Sequence, residues 1–257
     1  MTDTLMNLLL SADPVGQLQS LHARGKLRDL EPTLADLAMD VPAGYRHKDN
    51  LVHSFQVLQN AIDRETDGPD LTLRAAALFH DIGKPATRAF GARGVVTFVN
   101  HDLVGSRIVV KVLRKHGFSK AMVKDVSILV DMHMRSHTFK EGWSESAVRR
   151  LTVDAGGEVQ LQRLIIIFYA DTTTAMPEKK ARIHRSVAAL AAEVARVAAK
   201  DKRAALRPAL NGLEVAELLG ITPGRELGAV MKFLNSDDII KLPREEATAK
   251  VLEKFSR

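Results

Sequence analysis

The 257-residue sequence contains no cysteine, and this absence limits the chemistry that the protein can use. Disulfides and thiolate metal ligands are excluded, so any metal site must be built from His, Asp and Glu. Aromatic residues are also few, with two Tyr and one Trp. The longest apolar run near the N-terminus, around Leu8 to Leu10, is too short for a signal peptide or a membrane span. We therefore expect a cytoplasmic protein with no membrane partner.

Positive charge is concentrated in one part of the chain. The formal net charge is +6, and residues 178–207 hold nine Lys or Arg against three acidic residues. Six of these cations recur mostly at three- and four-residue steps, along one side of a predicted helix: Arg182, Arg185, Arg196, Lys200, Arg203 and Arg207. Two interpretations stay open. The face is either a solvated surface or an electrostatic track for a polyanion such as RNA, touched by Arg196, Lys200, Arg203 and Arg207.

Apolar residues recur at helical spacing along nearly the whole chain, which predicts an all-α fold. Residues 91–98 are the one convincing candidate for a strand or hairpin, with Gly94 at the turn. We expect three regions. They are an N-terminal helical segment over 1–44, a helical metal-binding core over 45–175, and a basic helix with a C-terminal helical extension over 176–257.

Histidine is concentrated in the predicted core. Seven of the nine His residues lie between Tyr45 and Thr138: His47, His53, His80, His101, His116, His133 and His137. The sharpest motif is His80-Asp81-Ile82-Gly83-Lys84, which follows an apolar helix. A divalent ion is well held by neutral imidazole and carboxylate together, and a phosphate on that ion requires a nearby positive charge. The dipeptide alone is weak, because His101-Asp102 repeats it.

Other helices supply further candidate ligands. His53 lies within a predicted helix, and His133 lies in an apolar stretch. Asp171 ends the strongly apolar run from Leu164, where an ionised carboxylate is costly unless a metal or another cation compensates it. Each residue singly has a simpler explanation, as a hydrogen-bonded core His or a helix-terminal Asp. Together they predict a metal site, because independent helices offer the right ligand types.

The order His53, His80-Asp81, Asp171 resembles the H…HD…D signature of the HD superfamily of metal-dependent phosphohydrolases. Four longer segments resemble the HD-containing half of bacterial CCA-adding tRNA nucleotidyltransferases, and they read YRHKDNLVHS from Tyr45, HDIGKPAT from His80, FVNHDLVG from Phe98 and ADTT from Ala170. The resemblance runs from about Gln17 to the C-terminus, including the segments NGLEV from Asn211 and LGITPG from Leu219. It implies an HD-domain helical core with a C-terminal helical extension.

The sequence also departs from those enzymes. They begin with a catalytic head that carries a Gly-Ser motif followed by Asp-x-Asp, and we find no such combination in this chain and no room for the head before Gln17. We therefore do not expect nucleotide addition. In some bacterial members of the family the HD module hydrolyses 2′,3′-cyclic phosphates and phosphomonoesters with a divalent metal. The resemblance implies a similar metal-dependent phosphohydrolase here.

The resemblance and the chemistry together assign roles. A first metal would be held by His53, His80, Asp81 and Asp171, where it polarises a phosphoryl oxygen and lowers the pKa of a bound water. His101 and His133 match positions that bind a second metal in dinuclear relatives, or they hydrogen-bond the phosphate in a mononuclear site. We expect one or two ions, with two favoured, drawn from Mn, Ni, Fe or Mg. Histidine-rich sites favour the transition metals.

Asp81 and Lys84 are the catalytic candidates, with Lys84 stabilising charge on the phosphate. Further candidate substrate contacts are Arg135, His137 and Arg149. The expected substrate is a nucleotide or RNA 3′-end phosphate, with tRNA among the candidate partners. Two alternatives stay open: a non-catalytic tRNA-binding body, and a hydrolase of free nucleotides such as dinucleoside polyphosphates. The complete ligand set counts against the first, and the basic helix counts weakly against the second.

Overall fold

The computed structural model describes residues 4–39, 49–91, 95–138 and 143–256, without the side chains of residues 136–138. Within these residues the chain is helical almost throughout, and the all-α prediction is confirmed. Contacts divide the chain into two compact units, residues 1–194 and 195–257. None of the described helices is long and apolar enough to cross a membrane.

The first unit begins with four short helices. They are α1 (Leu5–Leu10), α2 (Pro14–Ala23), α3 (Leu27–Leu30) and α4 (Pro32–Ala35). Asp13 caps α2, with Pro14 at its first turn, where a missing N–H costs nothing. Glu31 is buried between these helices and the core, and its carboxylate accepts hydrogen bonds from Thr33, Lys115 and His116.

The larger helices of the first unit surround one apolar core. They are α5 (Asn50–Ile62), α6 (Leu71–Phe79), α7 (Lys84–Thr87), α8 (His101–Lys115), α9 (Lys120–Met132), a 3-10 helix (His133–Thr138), α10 (Glu145–Ala155), α11 (Glu158–Ala170) and α12 (Pro177–Ala205). Side chains of Asp49, Asp70, Ser119 and Ser144 accept backbone N–H groups at the helix starts. The helix α6 is buried from Thr72 to Phe79. It therefore delivers the residues after Phe79 into the interior.

A short hairpin interrupts the helices between α7 and α8. Its strands are β1 (Ala89–Phe90) and β2 (Val96–Thr97), which pair antiparallel with Phe90 opposite Val96. The hairpin expected at residues 91–98 is therefore present, although β1 begins before that stretch. The predicted turn residue Gly94 lies outside the described residues.

The second unit has its own small apolar core, formed by α13 (Gly212–Leu219), α14 (Arg225–Leu234), α15 (Arg244–Phe255) and the segments between them. Asn211 and Glu214 form a capping box at the start of α13. The side chain of each residue accepts a hydrogen bond from the backbone N–H of the other. The long helix α12 begins in the first unit and ends in the second. The three regions expected from the sequence, with a boundary at residue 176, stay a prediction.

Candidate metal centre

Two consecutive residues at the end of α6 lie at the middle of the site. His80 is the C-terminal cap of α6 and is fully buried, and Asp81 is 2% exposed. Because every side chain of α6 after Leu71 is buried, the chain has no solvent-facing side on which to place this pair. An ionisable pair in such surroundings is costly unless opposite charges or hydrogen bonds compensate it.

The carboxylate of Asp81 lies between two pairs of histidines. Its Oδ2 atom is 3.5 Å from Nε2 of His53 and 3.2 Å from Nε2 of His80. Its Oδ1 atom is 3.3 Å from Nε2 of His101 and 3.8 Å from Nε2 of His133. Within each pair the two Nε2 atoms are 3.2 Å apart. Asp81 therefore presents one oxygen to each pair of imidazoles.

Asp171 adds a second carboxylate on the side of the first pair. It is the C-terminal cap of α11, and its Oδ1 atom is 3.0 Å from Nε2 of His53 and 3.6 Å from Nε2 of His80. The side-chain amide of Asn60 on α5 donates to the carbonyl oxygen of Ala170, at 2.8 Å. This bond fixes the end of α11 against α5, which also carries His53.

Hydrogen bonds at the other ring nitrogens determine which nitrogen of each imidazole faces the carboxylates. The Nδ1 atoms of His80, His101 and His133 lie 2.9, 2.8 and 2.6 Å from backbone carbonyl oxygens three residues earlier. A carbonyl oxygen can only accept, so each Nδ1 carries a proton, and Nε2 is the nitrogen that faces the carboxylates and is the possible ligand atom. The Nδ1 atom of His53 instead lies 3.1 Å from Oγ1 of Thr173.

The electrostatics of the cluster favour a cation at these nitrogens. Burial lowers the pKa of His80, but the charges of Asp81 and Asp171 outweigh burial and raise that pKa to about 10. Burial also raises the pKa of each carboxyl, yet the neighbouring histidines hold the pKa of both Asp81 and Asp171 well below the usual value. Burial, together with the positive charge at His80, lowers the pKa of His133 to about 4.

The donor set fits a divalent metal. Among the residues that the structure describes, two groups have ligand atoms within 4.8 Å of one another. They are His53, His80 and Asp81, and Asp81, His101 and His133. Imidazole nitrogens and ionised carboxylates are the ligands that divalent transition metals take in the absence of cysteine. A metal at either group would supply the positive charge that the carboxylates stabilise.

Comparison with known families identifies this part of the chain. Residues 50–176 match the HD domain family. The chain contains an HD domain. HD domains characterise a superfamily of metal-dependent phosphohydrolases, and the domain therefore belongs to that superfamily.

Two curated proteins extend the similarity beyond the HD domain. An A-adding tRNA nucleotidyltransferase of Deinococcus radiodurans is 33% identical over 233 residues, which are 90% of this chain and 52% of that protein. A CC-adding tRNA nucleotidyltransferase of Thermus thermophilus is 31% identical over 236 residues, 90% of this chain and 50% of that protein. The chain thus spans about half the length of these relatives, which confirms the resemblance to their HD-containing half.

Lys84, the candidate catalytic cation, lies beside the carboxylate of Asp81. Its Nζ atom lies 2.6 Å from Oδ2 of Asp81 and 5.6 Å from the ring centroid of Phe98. Lys84 is at the start of α7, one turn after Asp81, and the tight turn at Gly83 brings its amine back towards the cluster. It therefore occupies the edge of the site, bound to the same oxygen that faces His53 and His80.

The other predicted substrate contacts are placed differently. Arg149 pairs with Glu145 on its own helix α10, at 3.2 Å. Arg135 is exposed on the 3-10 helix that begins at His133, and it acts electrostatically on Asp131. The side chain of His137 lies outside those that the structure describes. Contacts of these three residues with a substrate stay predictions.

The basic face is partly paired within the second unit. Arg203 donates to the carboxylate of Asp237 and to the backbone oxygen of Asn235, and Arg207 donates to backbone oxygens of Ala204 and Leu206. Arg196 and Lys200 lie on the same helix, α12. The sequence pattern did not reveal Asp237, because it lies 34 residues beyond Arg203.

Two residues that support the site were not predicted. The side chain of Asn60 hydrogen-bonds to Ala170, which lies 110 residues further along the chain. The side chain of Thr173 hydrogen-bonds to His53, which lies 120 residues earlier. The motif ADTT included Thr173, but nothing in its spacing indicated that its hydroxyl would contact an imidazole. Contacts of this kind depend on how α5 and α11 pack.

Proposed function

We propose that the HD domain hydrolyses phosphoesters of nucleotides or RNA ends, as a 2′,3′-cyclic phosphodiesterase and a phosphomonoesterase. The observation that carries this proposal is the placement of Asp81, with one carboxylate oxygen towards His53 and His80 and the other towards His101 and His133. A carboxylate placed in this way could provide a ligand atom to each of two cations, and a pair of metals would supply Lewis-acid chemistry suited to in-line displacement at phosphorus. Membership in a phosphohydrolase superfamily supports the same chemistry.

We infer that a first ion is held by His53, His80, Asp171 and one oxygen of Asp81. A second ion would be held by His101, His133 and the other oxygen of Asp81. The nitrogen-rich donor sets favour Mn, Ni or Fe over Mg. When bound, these ions supply Lewis-acid chemistry, which withdraws charge from phosphoryl oxygens and acidifies water.

The protein's own groups orient and neutralise the substrate. The Lys84 ammonium would stabilise negative charge on the phosphoryl group, because it lies at the edge of the cluster beside Asp81. In a 2′,3′-cyclic phosphate, a water oxygen forms a bond to phosphorus while one bond from phosphorus to a ribose oxygen breaks. That ribose oxygen takes a proton, and the product is a phosphomonoester. Hydrolysis of the monoester then releases inorganic phosphate and a second hydroxyl.

An RNA end is the substrate that the surroundings favour. The two curated relatives are tRNA enzymes by name, and they match this chain over 90% of its length. The basic helix offers positive charge suited to a phosphate backbone. A non-catalytic tRNA-binding body would not need five candidate ligand groups around one buried carboxylate, which counts against that alternative.

The test is a panel of phosphoesters assayed with wild type, His80→Ala and the matched control His22→Ala, an exposed histidine on α2. The panel includes 2′,3′-cyclic nucleotides, RNA with 2′,3′-cyclic or 3′-phosphate ends, and dinucleoside polyphosphates. Chelation should stop hydrolysis, and Mn or Ni should restore it. His80→Ala should abolish hydrolysis, while His22→Ala should retain it. If no phosphoester is cleaved in a His80-dependent way, the hydrolase proposal is wrong and the binding-body alternative gains support.

A further inference from the structure

The hairpin between the two groups of histidines carries an unusual aromatic residue. Phe90 is 64% exposed, and it is the one aromatic side chain in the described part of the chain that is not at least half-buried. Other exposed apolar residues follow it closely along the chain, namely Val95, Val99 and Leu103. A single exposed apolar residue needs no explanation. A cluster beside a candidate active site does, because such patches mark binding surfaces.

One face of the hairpin combines aromatic rings with cations. Phe90 pairs with Val96 across the strands, and Arg88 and Phe98 directly precede β1 and directly follow β2. The guanidinium carbon of Arg88 lies 5.3 Å from the ring centroid of Phe90. The Nζ atom of Lys84 lies 5.6 Å from the ring centroid of Phe98. Each ring therefore has a cation within the range of a cation–π interaction.

This hairpin face is continuous with the metal centre. Lys84, which contacts Phe98, also contacts Asp81 at 2.6 Å. The carbonyl oxygen of Phe98 accepts a hydrogen bond from Nδ1 of His101, at 2.8 Å. Two residues along a strand span about 7 Å, so Val96, the partner of Phe90, lies about 7 Å along the chain from Phe98. A nucleotide whose phosphate binds beside Asp81 and Lys84 is therefore close enough for its sugar and base to contact the hairpin.

We propose that Phe90, with Arg88 beside it, forms a stacking platform for the base of the nucleotide whose phosphate reaches the metal centre. The inference rests on the proposed function and adds the substrate class: phosphoesters that carry an unpaired nucleobase, such as a single-stranded RNA end, in preference to base-free phosphates. Exposed aromatic rings stack on any base, and a neighbouring Arg adds charge and cation–π attraction. Phe90 is thus a specificity-determining residue, while the metal ligands act on the phosphate.

The experiment compares four proteins loaded with Mn: wild type, Phe90→Ala, Phe90→Leu and the control Val153→Ala, which removes another exposed apolar side chain, on α10. Binding of adenosine 3′-monophosphate and of glycerol 2-phosphate is measured by calorimetry. Both ligands are used as their non-hydrolysable methylene-phosphonate analogues, because the proposed enzyme would hydrolyse the phosphomonoesters themselves. We expect Phe90→Ala to weaken nucleotide binding about 5- to 150-fold, the effect of losing one base stack. Glycerol phosphate binding should be unchanged. Phe90→Leu keeps most of the apolar area but loses the ring. It should therefore weaken nucleotide binding as Phe90→Ala does, because the base stacks on the ring.

A gain-of-signal variant adds a direct spectroscopic measurement. In Phe90→Trp the larger ring should keep or strengthen nucleotide binding, and its fluorescence should be quenched by adenosine 3′-monophosphate and not by glycerol 2-phosphate. The native Trp143 gives the background, which wild type measures. Absence of selective quenching would contradict the stacking platform.

The outcomes separate this inference from the proposed function. If His80-dependent hydrolysis occurs and Phe90→Ala binds the nucleotide as wild type does, the platform is wrong and the hydrolase stands. If nucleotide binding depends on Phe90 while no phosphoester is cleaved, the hydrolase is wrong and the platform stands. Equal weakening of both ligands, or a change of oligomeric state in Phe90→Ala, would also overturn the platform, since either would show that Phe90 packs against protein.

Discussion

Gly83 packs directly against the backbone of His101: a Cβ atom on Gly83 would overlap the carbonyl oxygen of His101 and lie 2.6 Å from the backbone nitrogen of Gly105. The turn after Asp81 and the start of α8 therefore touch without side chains between them. Gly83 has an ordinary negative φ of −80°, so the need for glycine here is one of space. This close approach sets the distance between Asp81 and the His101–His133 pair.

We expect Gly83→Ala to push α8 away from Asp81 and to destabilise the protein by about 1–3 kcal/mol, the usual cost of overpacking. Its Mn content should fall together with its melting temperature. The matched control is Gly228→Ala on α14, where an added Cβ meets nothing within 4 Å. That helical substitution should be neutral or stabilising, by up to about 1 kcal/mol. A Gly83→Ala protein with wild-type Tm and metal content would show that the contact relaxes freely.

Metal binding should stabilise the protein through the ligands around Asp81. A ligand at 100 times its Kd adds about 2.7 kcal/mol, which raises the Tm of a domain of this size by about 5–10 °C. The double variant His80→Ala, Asp81→Ala should lose both the bound metal and this Tm increase. Elemental analysis and thermal unfolding with and without Mn measure the two effects. Full metal occupancy in the double variant would refute the assigned ligands.

We predict that the hydroxyl of Thr173 accepts a hydrogen bond from Nδ1–H of His53 and so leaves Nε2 of His53 as the ligand atom. Thr173→Val removes the partner of Nδ1, so that Nε2 of His53 is no longer held as the free ligand atom. We expect the affinity for Mn to fall about 10- to 100-fold, as with other groups that orient metal ligands. Thr173→Ser keeps the hydroxyl and should restore binding. Nitrogen NMR of His53 reports the tautomer directly, and an unchanged tautomer in Thr173→Val would rule out this role.

Glu31 should make stability depend on acid pH. Burial raises the pKa of Glu31, but hydrogen bonds from Thr33, His116 and Lys115 outweigh it, so the pKa lies below the ordinary value of 4.5. A group with a lowered folded pKa stabilises above its unfolded pKa, and that stability is lost as the pH falls through the folded pKa. Relative to Glu31→Gln, wild type should therefore be more stable at pH 7, with the difference shrinking below about pH 4.5.

Urea unfolding at a series of pH values measures this difference. Removing one partner of a buried hydrogen-bonded group costs about 1–3 kcal/mol, so His116→Ala should be clearly destabilising. Lys115 has a side chain that is 58% exposed, and its pair with Glu31 should contribute less than about 1 kcal/mol. A difference between wild type and Glu31→Gln that does not change with pH would contradict the prediction.

Salt dependence tests the basic face of α12 together with Arg207, two residues beyond the helix. If Arg196, Lys200, Arg203 and Arg207 contact RNA phosphates, replacing all four with Gln should flatten the log–log slope of affinity against salt by about three units. Hydrolysis of a small 2′,3′-cyclic nucleotide should be unchanged, because the proposed ligands lie on other elements. Wild-type tRNA affinity and salt dependence in the variant would show that the face is only solvated. A free nucleotide would then be the better substrate.

The sequence by itself determined the helices and the kinds of ligand. Asp49, Asp70 and Ser119 precede stretches of helical periodicity, and each caps a helix as such residues do. The sequence predicts His and Asp as the ligand types, because the chain has no cysteine and because imidazoles and carboxylates lie within apolar helical stretches. These signals are local, since capping and periodicity act over a few residues.

Only the tertiary structure decided which atoms meet. That each oxygen of Asp81 faces a different pair of histidines depends on the packing of Gly83 against α8. His53 contacts Thr173, 120 residues away, and Arg203 contacts Asp237, 34 residues away. A hydrogen bond across such separations produces no periodic pattern in the sequence. Contacts of this kind arise from the packing of whole helices against a shared core, and that packing depends on many residues at once.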